Sequence, residues 1–517
     1  MKLKIYALCA LMFATTSVLF AQPKKEDAST APRPEIRQDS AATDYKKEQK
    51  SITEGTVTVE GKTIDYEAIA GTLVLKNNDD VPTMNMFYTA YFKKGGDPSK
   101  RPLTFIYNGG PGSATLWLHM GAWGPQRVFI NDTQRTKAPY YTVNNDYSLL
   151  DASDLVFIDA PGTGFGKLIT KEMGGAGTPE QFYGIDQDGN AFASFIKRFL
   201  SDYNRWNSPK YLFGESYGTF RSAVVANLLE ESGISLNGVI LLSQLLTYGL
   251  MTETTDQNPG DGLPFQLVLP SFAATAWYHN KLPNKPAELE PFLREVENFA
   301  LNDYAVALNK GASLDANSFN QIAEKLHQYT GLPVDYIKKA NLRVNGPQFE
   351  QTLLGDSNQI TGRLDSRFSG AAFNPLSEGA EYDPMDSYID GAFTATFNNY
   401  VRTVLKFGKD LEYKTYGNVG RWDFKRRGFV GFPNVMNDLA HAMVYDPSLK
   451  VMLNSGYYDL GTPYFEGEYE MKHLPMPNLL QQNIQYARYT SGHMVYLHPE
   501  SLKQLHDNVA KFINSNY

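Results

Sequence analysis

The stretch 210–220, Lys-Tyr-Leu-Phe-Gly-Glu-Ser-Tyr-Gly-Thr-Phe, limits the possible folds more than any other part of the chain. Its short apolar run predicts a buried strand, Gly214-Glu215-Ser216-Tyr217-Gly218 a sharp turn, and the apolar spacing over 220–231 a helix. Small residues two before and two after Ser216 suit a turn too tight for side chains, and the strain of such a turn lifts the serine hydroxyl clear of the strand. Ordinary glycine and serine usage would place roughly 0.2 such pentapeptides in a chain of this length by chance. The strand before it and the helix after it therefore carry the inference, and together they describe a nucleophile elbow.

The flanking sequence supplies a sheet for that elbow. Alternating apolar and polar residues over 55–61, 70–75 and 84–92, with turn residues at 77–80, predict antiparallel strands along one sheet edge. The pattern then changes to apolar runs at 103–107, 155–158, 211–213, 239–242 and 451–453, with helices predicted over 190–203 and 220–231. Buried strands alternating with helices fit an α/β-hydrolase sheet, mostly parallel.

Three further motifs bear on chemistry. Asn108-Gly109-Gly110-Pro111-Gly112-Ser113 follows the first parallel strand, and its glycines let backbone N–H groups approach a developing negative charge. An oxyanion hole would combine the Tyr217 N–H, next after the serine, with one from this loop, for which Gly110 is the choice. A phosphate cradle fits less well, since no Lys-Ser or Lys-Thr pair follows. Residues 451–459 read as a strand ending in Asp459, and 485–495 as another running into Gly492-His493. A carboxylate so placed can hold a histidine in the tautomer a serine nucleophile needs. His473, His498 and His506 also follow Asp459, but only His493 comes directly after a glycine at a strand end.

Residues 1–21 set Lys2 and Lys4 before an apolar run and Ala21, the layout of a secretory signal; the run is short for a membrane span. The expectation is a secreted or periplasmic protein with no stable membrane span after processing. Residues 22–50, rich in Lys, Glu, Asp, Ala, Pro and Ser, read as a flexible leader. The single cysteine, Cys9, falls in the signal, which excludes disulfides, a thiol nucleophile and thiolate metal sites from the processed chain. Stability must then come from the core. A formal net charge of −8, made more negative by losing Lys2 and Lys4, and the lack of a basic block argue against nucleic acid as a partner.

Taken in order, Asn108-Gly-Gly-Pro-Gly112, Ile158-Asp-Ala-Pro-Gly-Thr-Gly-Phe165, Gly214-Glu-Ser-Tyr-Gly218, Asn454-Ser-Gly-Tyr-Tyr-Asp459 and Gly492-His-Met-Val495 make the sequence resemble the serine carboxypeptidases, peptidase family S10. The resemblance implies an α/β-hydrolase with a helical cap inserted before the catalytic aspartate, a triad of Ser216, Asp459 and His493, and removal of C-terminal residues from peptides. It calls for no cofactor or metal. It further implies that carboxylic acids kept protonated bind the substrate's terminal carboxylate, with Asn108 and Glu215 in the matching positions. Burial beside the nucleophile would raise the pKa of Glu215 and let a neutral acid donate.

The sequence departs from the family at two points. A second glutamate stands two residues before a Gly-Pro pair in the family, whereas Ala122 stands there before Gly124-Pro125. The cysteines of the eukaryotic enzymes are also missing, which suggests a bacterial-type member. Given Ala122, Asn108 and Glu215 could suffice alone, the pH optimum could move upward, or Arg363 or Arg367 could serve as the donor. An ion pair with Asp365 is the commoner fate of such arginines.

The organisation expected is a hydrolase core at 51–247 and 435–517, interrupted by a cap at 248–434 with helices over 287–309, 319–330, 334–340 and 387–407. The substrate expected is a peptide with a free C-terminus. An esterase or acyltransferase of the same fold is the rival, with an inactive secreted binding protein behind it. Oligomeric state is not legible in the sequence.

Overall fold

The computed structural model describes residues 43–516 except 421, 427 and 429. The expected signal and most of the expected leader lie outside them. The end of that leader departs from expectation, because the chain is already tied to the sheet from Tyr45 onward. Tyr45 O accepts from Asn85 Nδ2 at 2.8 Å, Gln49 N donates to Thr72 Oγ1 at 3.0 Å, and Glu48 accepts from Val74 N at 3.0 Å. These polar residues satisfy an open strand edge without burying apolar surface, so they carry no hydrophobic pattern to read.

Three long antiparallel strands come first: β1 (Lys50–Val59), β2 (Lys62–Lys76) and β3 (Pro82–Lys93). The strands β4 (Leu103–Tyr107), β5 (Asp154–Ile158), β6 (Lys210–Glu215), β7 (Gly238–Leu242), β8 (Lys450–Gly456) and β9 (Ile484–Tyr489) follow. They pair in the order β1-β2-β3-β5-β4-β6-β7-β8-β9, and every pairing from β5 onward is parallel. Each expected parallel strand is present, longer by a few residues where polar ends continue the ladder.

Side chains alternate across this sheet into two cores. Tyr211, Phe213, Ile240 and Leu242 join Trp123 and the C-terminal helix residues Val509 and Phe512 on one face. Leu212, Val239 and Leu241 face the other way, onto helices α1 (Ile185–Asp202) and α2 (Tyr217–Glu231). Strands covered on both faces read as near-continuous apolar runs, and β4, β5 and β7 are buried throughout.

Between β7 and the helix Met436–Tyr445 the chain builds α3 (Leu263–Tyr278), α4 (Leu289–Phe299), α5 (Ala316–Thr330) and α6 (Pro384–Thr403). Helix α5 starts three residues earlier than the spacing predicts, where Asp315 caps it by accepting from Ser318 N. Helix α3 has no counterpart in the expected set. It is apolar on all sides, buried along most of its length, and carries Pro270 in its interior, so it shows no amphipathic period. Its Phe272 stacks on Phe349 with ring centroids 4.0 Å apart, and the surrounding core also takes in Tyr457, Tyr458 and Leu460.

Candidate active site

Strand β6 ends at Glu215 and α2 begins at Tyr217, which leaves Ser216 alone in the turn with φ 61° and ψ −131°. Few non-glycine residues adopt such a backbone, and the neighbours hold it there. Ser216 N donates to Leu242 O at 3.0 Å, while Thr219 N and Oγ1 donate back to Ser216 O at 2.8 and 2.7 Å. A Cβ on Gly214 would come within 2.2 Å of Gly218 O, and one on Gly218 within 2.9 Å of Tyr107 O. The two glycines flanking Ser216 are thus demanded by contact.

The glycine-rich loop lies against this elbow. A Cβ on Gly109 would sit 2.4 Å from Tyr217 N, so backbone packs on backbone there. Arg221, fully buried and paired with Asp188 at 2.6 Å, donates to Asn108 O at 2.6 Å and ties α2 to the start of the loop. Asn108 Oδ1 accepts from Leu118 N at 3.1 Å. Among the described residues neither the Gly110 N–H nor the Tyr217 N–H donates a hydrogen bond.

Beyond the ends of β8 and β9, His493 Nδ1 meets Asp459 Oδ2 at 2.7 Å, and both side chains are buried. Thr462 Oγ1 donates to the same carboxylate oxygen at 2.7 Å, and Gly461 N and Thr462 N donate to Oδ1, each at 2.9 Å. Burial would lower the imidazole pKa, but the charge of Asp459 and its hydrogen bond outweigh this and hold His493 above its ordinary value. A relay of short contacts runs from the elbow to this pair. Ser216 bonds Leu242, the next residue Ser243 donates its N–H to Asn454 O at 2.9 Å, and Ser243 Oγ donates to His493 O at 2.6 Å. Among the described residues the Ser216 hydroxyl makes no hydrogen bond with His493; in free enzymes such contacts often tighten only when substrate arrives.

Glu215, beside the serine, is buried. Tyr496 donates to its Oε1 at 3.3 Å, and its Oε2 is buried without a partner. Desolvation is the main reason its pKa rises to about 7; His493, Tyr496 and Asn108 oppose the rise and Asp459 adds to it. Arg367 is taken up by Asp365 at 2.6 Å and Asp132 at 3.1 Å, the ion-pair fate weighed above. Arg363 bonds Glu253 at 3.3 Å and is partly exposed next to Gly461.

Several residues of this site carry no sequence signal of their own. Leu364 O accepts from His493 N at 2.7 Å, Asp365 Oδ2 accepts from Gly492 N at 3.3 Å, and Arg363 O accepts from Leu460 N at 2.9 Å. The 363–365 segment is far from these loops in sequence and meets them only in the fold. Thr462 could have been found, since a hydroxyl three residues after an aspartate commonly closes a local turn.

Sheet order, elbow and the buried aspartate–histidine pair at the carboxyl edge define an α/β-hydrolase. Residues 61–258 match the family model described as Serine carboxypeptidase. The pheromone-processing carboxypeptidase KEX1 of Phytophthora infestans is 29% identical over 162 residues, 29% of this chain and 23% of that protein. A carboxypeptidase Y homolog of Arthroderma benhamiae is 29% identical over 167 residues, 32% of this chain and 29% of that protein. The matches thus span less than a third of these relatives. Among solved structures, the proline iminopeptidase of Mycobacterium smegmatis aligns over 90% of this chain and 98% of its own, at 13% identity and a TM-score of 0.33.

Proposed function

We propose that the protein is an exported serine carboxypeptidase, a bacterial-type member without cysteine braces, that hydrolyses the last peptide bond of substrates with a free C-terminus. The observation that carries the reading is Ser216, held in a left-handed turn at the sheet edge where Asp459 grips His493 at 2.7 Å. His493 takes the proton from Ser216 and the alkoxide attacks the carbonyl carbon. The N–H groups of Gly110 and Tyr217 receive the oxyanion. The C–N bond breaks as His493 protonates the departing amine, and water then attacks the acyl-enzyme with the same histidine as base. Asn108 and a protonated Glu215 bind the terminal carboxylate; the buried, unpartnered Oε2 supports that role. The signal-like residues 1–21 support export.

The test compares one peptide as free acid, as C-terminal amide and as simple ester. The proposal expects strong preference for the free acid, and Ser216→Ala should reduce turnover by several orders of magnitude with folding intact. Indifference to the free carboxylate would favour the esterase or acyltransferase, and cleavage of none a binding protein.

A further inference from the structure

A phenol packs beside the turn in which Ala122 stands where the expected second acid would be. Tyr496 is buried, three residues beyond His493, and its ring lies on the His119–Trp123 turn that contains Ala122. A Cβ on Gly121 would come within 2.5 Å of that ring, so glycine there makes room for the tyrosine. The phenol O–H reaches Glu215 Oε1 at 3.3 Å, and the Asn108 side chain interacts with both groups. Glu215 Oε2 is left over, buried and without a partner.

Resting on the carboxypeptidase reading, we infer that Tyr496 replaces the second acid as the positioning residue for Glu215. Its hydroxyl occupies Oε1, which directs the proton of the neutral carboxyl to Oε2, the oxygen that then donates to the substrate's terminal carboxylate. Two paired acids sharing a proton need acid conditions to stay singly charged. A phenol needs none, because its own proton stays on throughout the working range; burial and the neighbouring Glu215 raise the Tyr496 pKa well above its ordinary value. The charged and titratable groups facing the Glu215–Tyr496 pair are His493, Asp459 and Tyr416. Recognition of the C-terminus then depends on one titration, that of Glu215, which burial carries toward neutral pH against the phenol's hydrogen bond.

The experiment measures kcat and KM from pH 5 to 9 on a free-acid peptide and on the corresponding ester, for the wild type and Tyr496→Phe, which keeps the ring. The ratio of kcat/KM for acid over ester should fall about tenfold in the variant, mainly through KM of the acid, as for loss of one hydrogen bond to an ionisable group. The pH above which that KM climbs should move upward, because the phenol's hydrogen bond lowers the Glu215 pKa. An unchanged ratio and an unmoved break, with the wild type still preferring the free acid, would overturn the role of Tyr496 alone. A wild type without that preference would overturn the carboxypeptidase reading and this inference together.

Discussion

A carboxyl with one oxygen buried and unpartnered binds its proton tightly, and Glu215 is pushed from an ordinary 4.5 to about 7. Between these values the folded state holds a proton that the unfolded chain has released, so this group's contribution to stability is lost as pH rises through that window. The proposed binding of the terminal carboxylate follows the same titration. On a free-acid substrate kcat/KM should rise with pH as His493 loses its proton and fall as Glu215 ionises, giving a bell near neutrality. Glu215→Gln should abolish the alkaline limb. A variant profile that keeps its alkaline limb would assign that limb to another group. At this scale the sequence is legible wherever the backbone makes the demand: the elbow needs Gly214 and Gly218, and strands ending in Asp459 and Gly492-His493 show as apolar runs that stop. Tyr496 and Ser243 are not legible, because each acts through a partner far along the chain, and neither is the bond from Gly492 N to Asp365.

Among the elements, the segment 362–367 links cap to core. Its main chain accepts from Leu460 and His493, and the Asp365 carboxylate, fully buried, takes Gly492 N and the Arg367 guanidinium. Removing one member of a buried ion pair costs about 3–5 kcal/mol because the other is left uncompensated. Asp365→Asn should lower the denaturation free energy by about that much. Asp132→Asn, at the partly exposed end of the same arginine, should cost about 1 kcal/mol or less. Urea unfolding of both variants checks the ranking, and equal losses would show that Arg367 draws on neither partner selectively. The elements themselves were readable where one face is wet, as in α4 and α5. Helix α3 was not, since burial on every side erases the period that marks a helix.

Over the whole molecule, the cap core is continuous with the loop that presents Asp459. Tyr457, Tyr458 and Leu460 flank that aspartate and belong to the same apolar core as the cap residues Phe272 and Phe349. A cavity opened in the cap should therefore be felt at the site. Phe272→Ala should cost about 3–5 kcal/mol, seen as an earlier thermal transition, and should reduce kcat well below the melting range. Wild-type kcat in a variant so destabilised would show that cap packing and the Asp459 loop are independent. This coupling also explains why the fold class could be read from strands and motifs while the cap's contribution could not: apolar aromatics in a long insertion do not disclose which loop they will meet.

The peptide of His493 is gripped from two sides, its N–H by Leu364 O of the insertion and its carbonyl by Ser243 Oγ of the sheet. Insertion and sheet are consequently not interchangeable parts. A chimera that grafts a foreign insertion onto this scaffold would have to carry residues 362–367 with it, or provide another carbonyl at the same spot, before the imidazole could be seated at all.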